Sequence, residues 1–261
     1  PYFNSVFIPL MVPLLMLIGF GQTAHWRRDS FRRLFSIAKY PAACATTLAI
    51  GAWAMLEGTG AIQAALGLLM AFWVIVATLK NLYLQLSNAT KISPVRRALL
   101  GQSVAHIGFA VTVIGVTLVS IYSVEKHVRM SPGESVEFST YQATFDSIKK
   151  ITGPNYSGVE ATFNVTQDEK VIAVLFPQKR NYNAGSQTMT EAGISAGITK
   201  DIYIALGEKI DTEDWGVRLN IKPFVRWIWF GAFLMAAGGT IAASDLRFKR
   251  LNKNRRPSAQ T

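Results

Sequence analysis

Five long apolar segments constrain what this chain can fold into. A helix of about 20 apolar residues is needed to cross a bilayer core that is about 30 Å thick. Half of all residues are hydrophobic and only 16% are charged. The sequence therefore predicts a mainly α membrane protein with about five transmembrane helices. The segments cover residues 5–22, 38–56, 61–83, 99–121 and 223–244.

The basic residues are distributed unevenly along the chain. The formal net charge is +11, yet residues 122–222 carry 11 basic and 13 acidic residues. The excess positive charge therefore accompanies the apolar segments, where Lys and Arg mark cytoplasmic loops and meet anionic lipid head groups. We expect the loops at residues 23–37 and 84–98 to be cytoplasmic. Membrane lipid is the expected partner of this charge, and nucleic acid is not.

Residues 122–222 follow a different pattern, in which apolar and polar residues alternate, as between Val159 and Val165. A period of two is typical of strands with one buried face. We predict a periplasmic, mainly antiparallel β-rich domain, with exposed loops at residues 153–156 and 188–197. The predicted organisation is four transmembrane helices in residues 1–121, the β-rich domain in 122–222, a fifth helix in 223–244 and a basic cytoplasmic tail in 245–261.

His106 is the most informative single residue. It lies seven positions into the apolar segment that begins at Leu99, which is about 10 Å at 1.5 Å per residue. A charged side chain there would cost about 2.5–3.5 kcal/mol, so we expect a neutral imidazole with a partner. Spacing alone leaves two partners open: a hydrogen bond to an adjacent helix, or a cofactor.

The helix around His106 carries glycines at every seventh position, Gly101, Gly108 and Gly115. Small residues at such spacing let a second helix approach closely. His106 projects nearly opposite these glycines. The helix can therefore pack through one face and present the imidazole on the other.

Four other residues are weaker candidates. Cys44 is the only cysteine, which excludes an intrachain disulfide, and its apolar surroundings favour a packed, inert thiol. His25 and His127 lie next to charged loop residues, where solvated roles are favoured over ligation. Arg226 is expected to anchor the fifth helix at the head groups, with contact to an anionic group as the alternative.

Several short motifs, taken in order, resemble the CcmF family, the membrane heme lyases of bacterial cytochrome c maturation. The resemblance covers essentially all 261 residues. It is carried by residues 1–4 (PYFN), 105–108 (AHIG), 122–125 (YSVE), 129–133 (RMSPG), 153–156 (GPNY), 189–192 (MTEA) and 222–229 (KPFVRWIW).

The resemblance implies attachment of heme to apocytochrome c at the periplasmic face of the bacterial inner membrane. It also implies a permanent heme b within the membrane, held by two transmembrane histidines. His106 matches the more C-terminal of the two, so it is expected to bind the cofactor as an axial ligand of the heme iron. The implied partners are a periplasmic heme chaperone, apocytochrome c and the thiol-handling proteins that present it.

Other features of the family have no counterpart in this chain. They are its tryptophan-rich external motif, its two periplasmic heme-binding histidines and the partner transmembrane histidine, all of which lie in the family's upstream half. The chain begins at Pro1 without a methionine, so we expect that upstream half of the same protein as a partner. Two other functions remain open: a permease or transporter subunit, and a scaffold whose β-rich domain only docks partner proteins.

Overall fold

The structure, a computed structural model, describes residues 2–24, 29–87, 95–183 and 188–245. It divides into two compact units. The helical unit comprises residues 1–121 with 227–261, and the β unit comprises residues 122–226. The five described helices are α1 (Tyr2–Gly21), α2 (Phe31–Trp53), α3 (Ala61–Ser87), α4 (Val95–Tyr122) and α5 (Val225–Ala243).

Three of the described helices, α3, α4 and α5, are long and apolar enough to cross a membrane. The apolar part of α1 is shorter, and α2 carries Arg32, Arg33 and Lys39 in its first half. The chain is thus a membrane protein with a β domain. Crossings by α1 and α2 stay a prediction.

The start of α2 differs from the prediction. A loop was expected through residue 37, but α2 begins at Phe31 because Ser30 caps it: the backbone N–H of Arg33 donates to Ser30 Oγ at 3.3 Å. Arg33 also pairs with Asp29 at 2.5 Å. A capping hydroxyl satisfies one of the unpaired N–H groups of a first helical turn.

The start of α4 also lies earlier than expected, at Val95 rather than Leu99. His106 is therefore eleven residues into the helix, about 16 Å. The fully buried carboxylate of Asp245 accepts a hydrogen bond from the backbone N–H of Ala98 at 3.1 Å. An acidic group at this end of a helix is favoured by the helix dipole.

The α3 helix packs against both α1 and α2. Trp73 lies over Gly19 of α1, and its indole Nε1 donates to the carbonyl of Met16 at 3.3 Å. Lys80 Nζ donates to the carbonyl of Ile37 in α2 at 2.6 Å. Among the described residues, α3 therefore contacts both α1 and α2 within the helical unit.

The expectation of a packed Cys44 is wrong. Its side chain is exposed, because α2 buries the neighbouring residues Pro41, Ala45 and Ala49 instead. Cys44 precedes Ala45 by one residue, which turns it by about 100° away from the buried face.

The α4 and α5 helices approach each other through pairs of glycines. A Cβ built on Gly238 would lie 2.5 Å from the carbonyl oxygen of Gly101, and one built on Gly108 would lie 2.7 Å from the carbonyl oxygen of Gly231. The backbones of the two helices are therefore in direct contact, as small residues permit in membranes. The close approach expected for the glycine face of α4 is confirmed, and α5 is the helix that makes it.

The β unit contains two antiparallel sheets. One has the strand order β1-β10-β9-β8, and the other has the order β2-β3-β4-β6-β7 with β5 paired to β4. The ten strands among the described residues are β1 (Val124–Met130), β2 (Ser135–Phe138), β3 (Tyr141–Thr152), β4 (Tyr156–Gln167), β5 (Lys170–Leu175), β6 (Gln178–Tyr182), β7 (Thr188–Glu191), β8 (Gly193–Ser195), β9 (Lys200–Lys209) and β10 (Trp215–Pro223).

The alternation in the sequence predicts the core of the β unit correctly. Phe145 and Phe163 are opposite each other on β3 and β4, are fully buried and stack with ring centroids 4.6 Å apart. Burying such a side chain contributes about 1.5–3 kcal/mol. Asp168 and Glu169 join β4 to β5 with φ 48° and 63°, as a tight hairpin requires.

Two local expectations in this region are wrong. Residues 188–197 were expected as a loop, but they contain β7 and β8, which pair with β6 and β9. Pro223 was expected in the first turn of the fifth helix, but it ends β10. Phe224 then takes a left-handed conformation with φ 54°, and α5 begins at Val225.

Asp201 organises the end of the β unit. Its buried carboxylate accepts hydrogen bonds from the backbone N–H of Gly197 at 2.9 Å, from Arg226 Nε at 3.1 Å and from the hydroxyl of Tyr203 at 3.3 Å. Burial, together with the nearby Asp201 carboxylate, raises the pKa of Tyr203. The phenol is therefore protonated when it donates to Asp201.

We expect Gly238→Ala to destabilise the helical unit by about 1–3 kcal/mol, because the added methyl group overpacks against Gly101 and Ala105. Gly239→Ala is the matched control, since a Cβ at Gly239 would meet nothing within 4 Å. The midpoint of thermal unfolding of the purified membrane protein measures the difference. Equal midpoints for the two variants would contradict the glycine contact.

We expect Asp201→Ala to destabilise the β unit by about 1–3 kcal/mol, since three donors lose their acceptor. Hydrogen exchange of the intact protein, read by mass spectrometry, should be faster across residues 197–203. Glu213→Ala, which changes an exposed carboxylate, is the control. Unchanged exchange in Asp201→Ala would show that this cluster carries no stability.

Candidate functional site

His106 lies on the side of α4 that faces α3. The two helices touch where a Cβ built on Gly67 would lie 2.5 Å from Thr117 Oγ1, and again at Gly60 and Ile121. Thr117 is eleven residues from His106, which is about three turns of an α-helix, so the two share one face. That face is opposite to the glycines that contact α5.

The two ring nitrogens of His106 have different surroundings. Nδ1 is buried and has no hydrogen-bond partner among the described residues. Nε2 is not one of the buried atoms that lack a partner. The side chain as a whole is half-buried, next to the exposed Gln102 and the buried Ala110. One nitrogen is thus available to a group from outside the described chain.

This arrangement fits the heme that the resemblance implies. A neutral imidazole binds iron through one nitrogen while the other nitrogen is held by a second group. Within the described residues no three His, Cys, Asp or Glu side chains come close enough to hold a metal ion. Among the described residues, His106 is thus the residue that fits one ligand of such a heme.

The other candidate histidines do not join His106. His127 lies on β1 rather than in a loop, is exposed, and its Nε2 is 2.9 Å from Glu125 Oε1. His25 lies outside the described residues. The structure therefore brings no second described histidine into the helical unit beside His106.

His127 lines a groove of about 440 Å³ on the four-stranded sheet. Ala205, Gly207 and Gly216 form part of its lining, and Arg218, the cross-strand neighbour of His127, stands beside it. The groove results from small residues on the outer face of neighbouring strands. Its charged rim and small lining suit an extended polypeptide better than an apolar ligand.

Arg226 is engaged by Asp201, with its Nε 3.1 Å and 3.2 Å from the two carboxylate oxygens. The alternative raised by the sequence, contact with an external anionic group, stays a prediction. More than half of the Arg226 side chain is exposed, whereas that of Asp201 is 4% exposed. The pair thus holds the chain at the beginning of α5.

Three polar residues of α3 and α4 were not predicted from the sequence as candidates. Thr78, Asn81 and Ser103 are all buried. Polar residues inside apolar helices were the signal that could have identified them, because they are costly unless paired. Their position relative to His106 depends on how α3 and α4 are aligned.

Comparisons with known proteins agree with the fold. Residues 121–223 match the family model described as the CcmF C-terminal beta-sandwich. The chain is 40% identical over 250 residues to cytochrome c-type biogenesis protein CcmF of Escherichia coli, covering 96% of the chain and 38% of that protein. It is 39% identical over 258 residues to the CcmF protein of Pseudomonas aeruginosa, covering 98% of the chain and 39% of that protein.

A solved structure named Cytochrome c Heme Lyase CcmF shares the fold, with a TM-score of 0.74 and 20% sequence identity, covering 94% of the chain and 40% of that structure. The chain spans about two fifths of the length of the curated relatives it matches. Sequence and fold together make this chain a representative of the C-terminal portion of the CcmF family of cytochrome c-type biogenesis proteins.

Proposed function

We propose that this chain is the C-terminal part of a membrane heme lyase that attaches heme to apocytochrome c at the periplasmic face of the inner membrane. The observation that carries the proposal is His106, a half-buried imidazole on a membrane helix with one nitrogen available to an outside group. The names of the relatives, which refer to cytochrome c biogenesis and heme lyase, support the same function.

His106 is proposed as one axial ligand of a b-type heme. When bound, such a group would carry electrons from a separate donor to the iron of the heme that is being attached. The protein itself holds the ligand in position. The helices α5 and α3 pack on opposite sides of α4 and fix the position of the imidazole. Fixed orientation of a cofactor ligand is the main contribution of a protein to such chemistry.

Attachment of heme also requires that its vinyl groups and the two cysteine thiols of the apocytochrome meet in a fixed geometry, which is a positioning problem. The β unit is proposed to dock the periplasmic heme chaperone, or the apocytochrome with its thiol-handling partners. The groove beside His127 and Arg218 is the described surface that best suits an extended chain. The upstream half of the protein is proposed to hold the incoming heme.

We expect His106→Ala to remove or strongly perturb the b-type heme spectrum of the full-length protein purified from membranes. His127→Ala is the matched control, because His127 is exposed and pairs with Glu125. Reduced-minus-oxidised absorption spectra measure the bound heme. A spectrum that is unchanged in His106→Ala would reject His106 as a ligand, and a protein without heme would favour the permease or scaffold functions.

The proposed topology has the β unit in the periplasm and the basic tail in the cytoplasm. Alkaline phosphatase is active only after export, so we expect a fusion after Asn155 to be active and a fusion after Arg256 to be inactive. The positive residues flanking the apolar segments are the physical reason. Activity of the Arg256 fusion would show that the number of crossings is wrong.

A further inference from the structure

Thr78 of α3 differs from three other threonines of the described helices. Thr47, Thr112 and Thr240 each donate their hydroxyl to the carbonyl four residues earlier. Thr78 is fully buried, and its Oγ1 has no hydrogen-bond partner among the described residues. A buried hydroxyl without a partner costs free energy. This hydroxyl therefore requires a partner.

The alignment of α3 and α4 puts Thr78 and His106 on the contacting faces of the two helices. Gly67 of α3 touches Thr117 of α4, and the contact between Gly60 and Ile121 shows that the two helices run antiparallel. Thr78 lies eleven residues beyond Gly67, and His106 lies eleven residues before Thr117. Eleven residues make about three full turns, or about 16 Å, so both residues return to the contacting faces in the same part of the two helices.

The residues between the Gly67–Thr117 contact and the Thr78–His106 pair indicate that α3 and α4 stay in contact over this length. Ala71 and Val74 lie on the α3 face that carries Gly67, and Ala110 and Ile114 lie on the α4 face that carries Thr117. Ala71, Val74 and Ala110 are 0% exposed and Ile114 is 9% exposed. Faces that stay buried along this length are expected of helices that remain packed together.

We propose that Thr78 is a positioning residue for His106. In this arrangement one buried water accepts from the imidazole Nδ1–H and donates to Thr78 Oγ1, once the Thr78 side chain rotates about χ1 so that its hydroxyl donates to the carbonyl of Val74 one turn earlier. This arrangement satisfies the two buried polar atoms that otherwise have no described partner. Buried polar groups are nearly always satisfied in this way.

The consequence concerns which ring nitrogen carries the proton. With Nδ1 protonated and held by Thr78, Nε2 keeps its lone pair and faces away from the enclosed side of the ring. Nε2 is then the nitrogen that can bind iron, and a second group that orients a metal-binding histidine commonly sets this tautomer. The inference rests on the proposed function only for the identity of the iron ligand.

The test compares three variants of the full-length protein. Thr78→Val removes the hydroxyl at nearly constant volume, Thr78→Ser keeps it, and Thr47→Val is the control on the exposed side of α2. In protein prepared without heme, nitrogen NMR shifts of labelled His106 report the tautomer. In heme-loaded protein, retention of heme and the reduction midpoint report the ligand.

We expect Thr78→Val to give a mixture of His106 tautomers, and to weaken heme retention by about 10- to 100-fold, the usual effect of losing such a partner. Thr78→Ser and Thr47→Val should match the natural protein. The proposal is overturned if Thr78→Val keeps a single Nδ1–H tautomer and a normal thermal midpoint. If the natural protein binds no heme, the proposed function fails, while the tautomer comparison still decides the role of Thr78.

Discussion

The direct backbone contact between α4 and α5 is the interaction on which the helical unit depends. Glycines at Gly101 and Gly108 meet those at Gly238 and Gly231, and in a membrane such close packing replaces the hydrophobic effect as the force between helices. Because α5 covers one side of α4, the opposite side is left for α3 and for His106. The carboxylate of Asp245, bonded to the N–H of Ala98, fixes the same pair of helices at one end.

The β unit is stabilised by different physics. Alternating apolar side chains from two antiparallel sheets fill one core around Phe145 and Phe163, whose burial is complete. Charged residues lie at the ends of the strands. There Asp201 accepts hydrogen bonds from Gly197, Tyr203 and Arg226. Water-exposed groups thus surround a conventional sandwich core, whereas the helical unit depends on shape and on a few enclosed polar atoms.

Period-two alternation and apolar run length were enough to predict the division into helices and strands, because both signals depend on which faces are buried. Helix ends were missed where a single cap decided them, as Ser30 does for α2. The lone His106 could be selected from sequence, because an ionisable group in an apolar segment is costly. Thr78 could not be selected, since its importance depends on the alignment of α3 with α4. The exposure of Cys44 could not be predicted either, because it depends on which face of α2 packs.

The glycine contact has a consequence for how the chain assembles. It joins Gly108 to Gly231, with the entire β unit between them in the sequence. During synthesis α4 emerges long before α5, so its glycine face has no partner while more than a hundred further residues are made. Long-range contacts of this kind form late, and until they form the unpaired surfaces are prone to non-specific association. The glycine face of α4 would therefore be the surface that membrane quality control encounters before α5 is made. Substitutions at Gly231 or Gly238 would leave that face exposed after synthesis is complete.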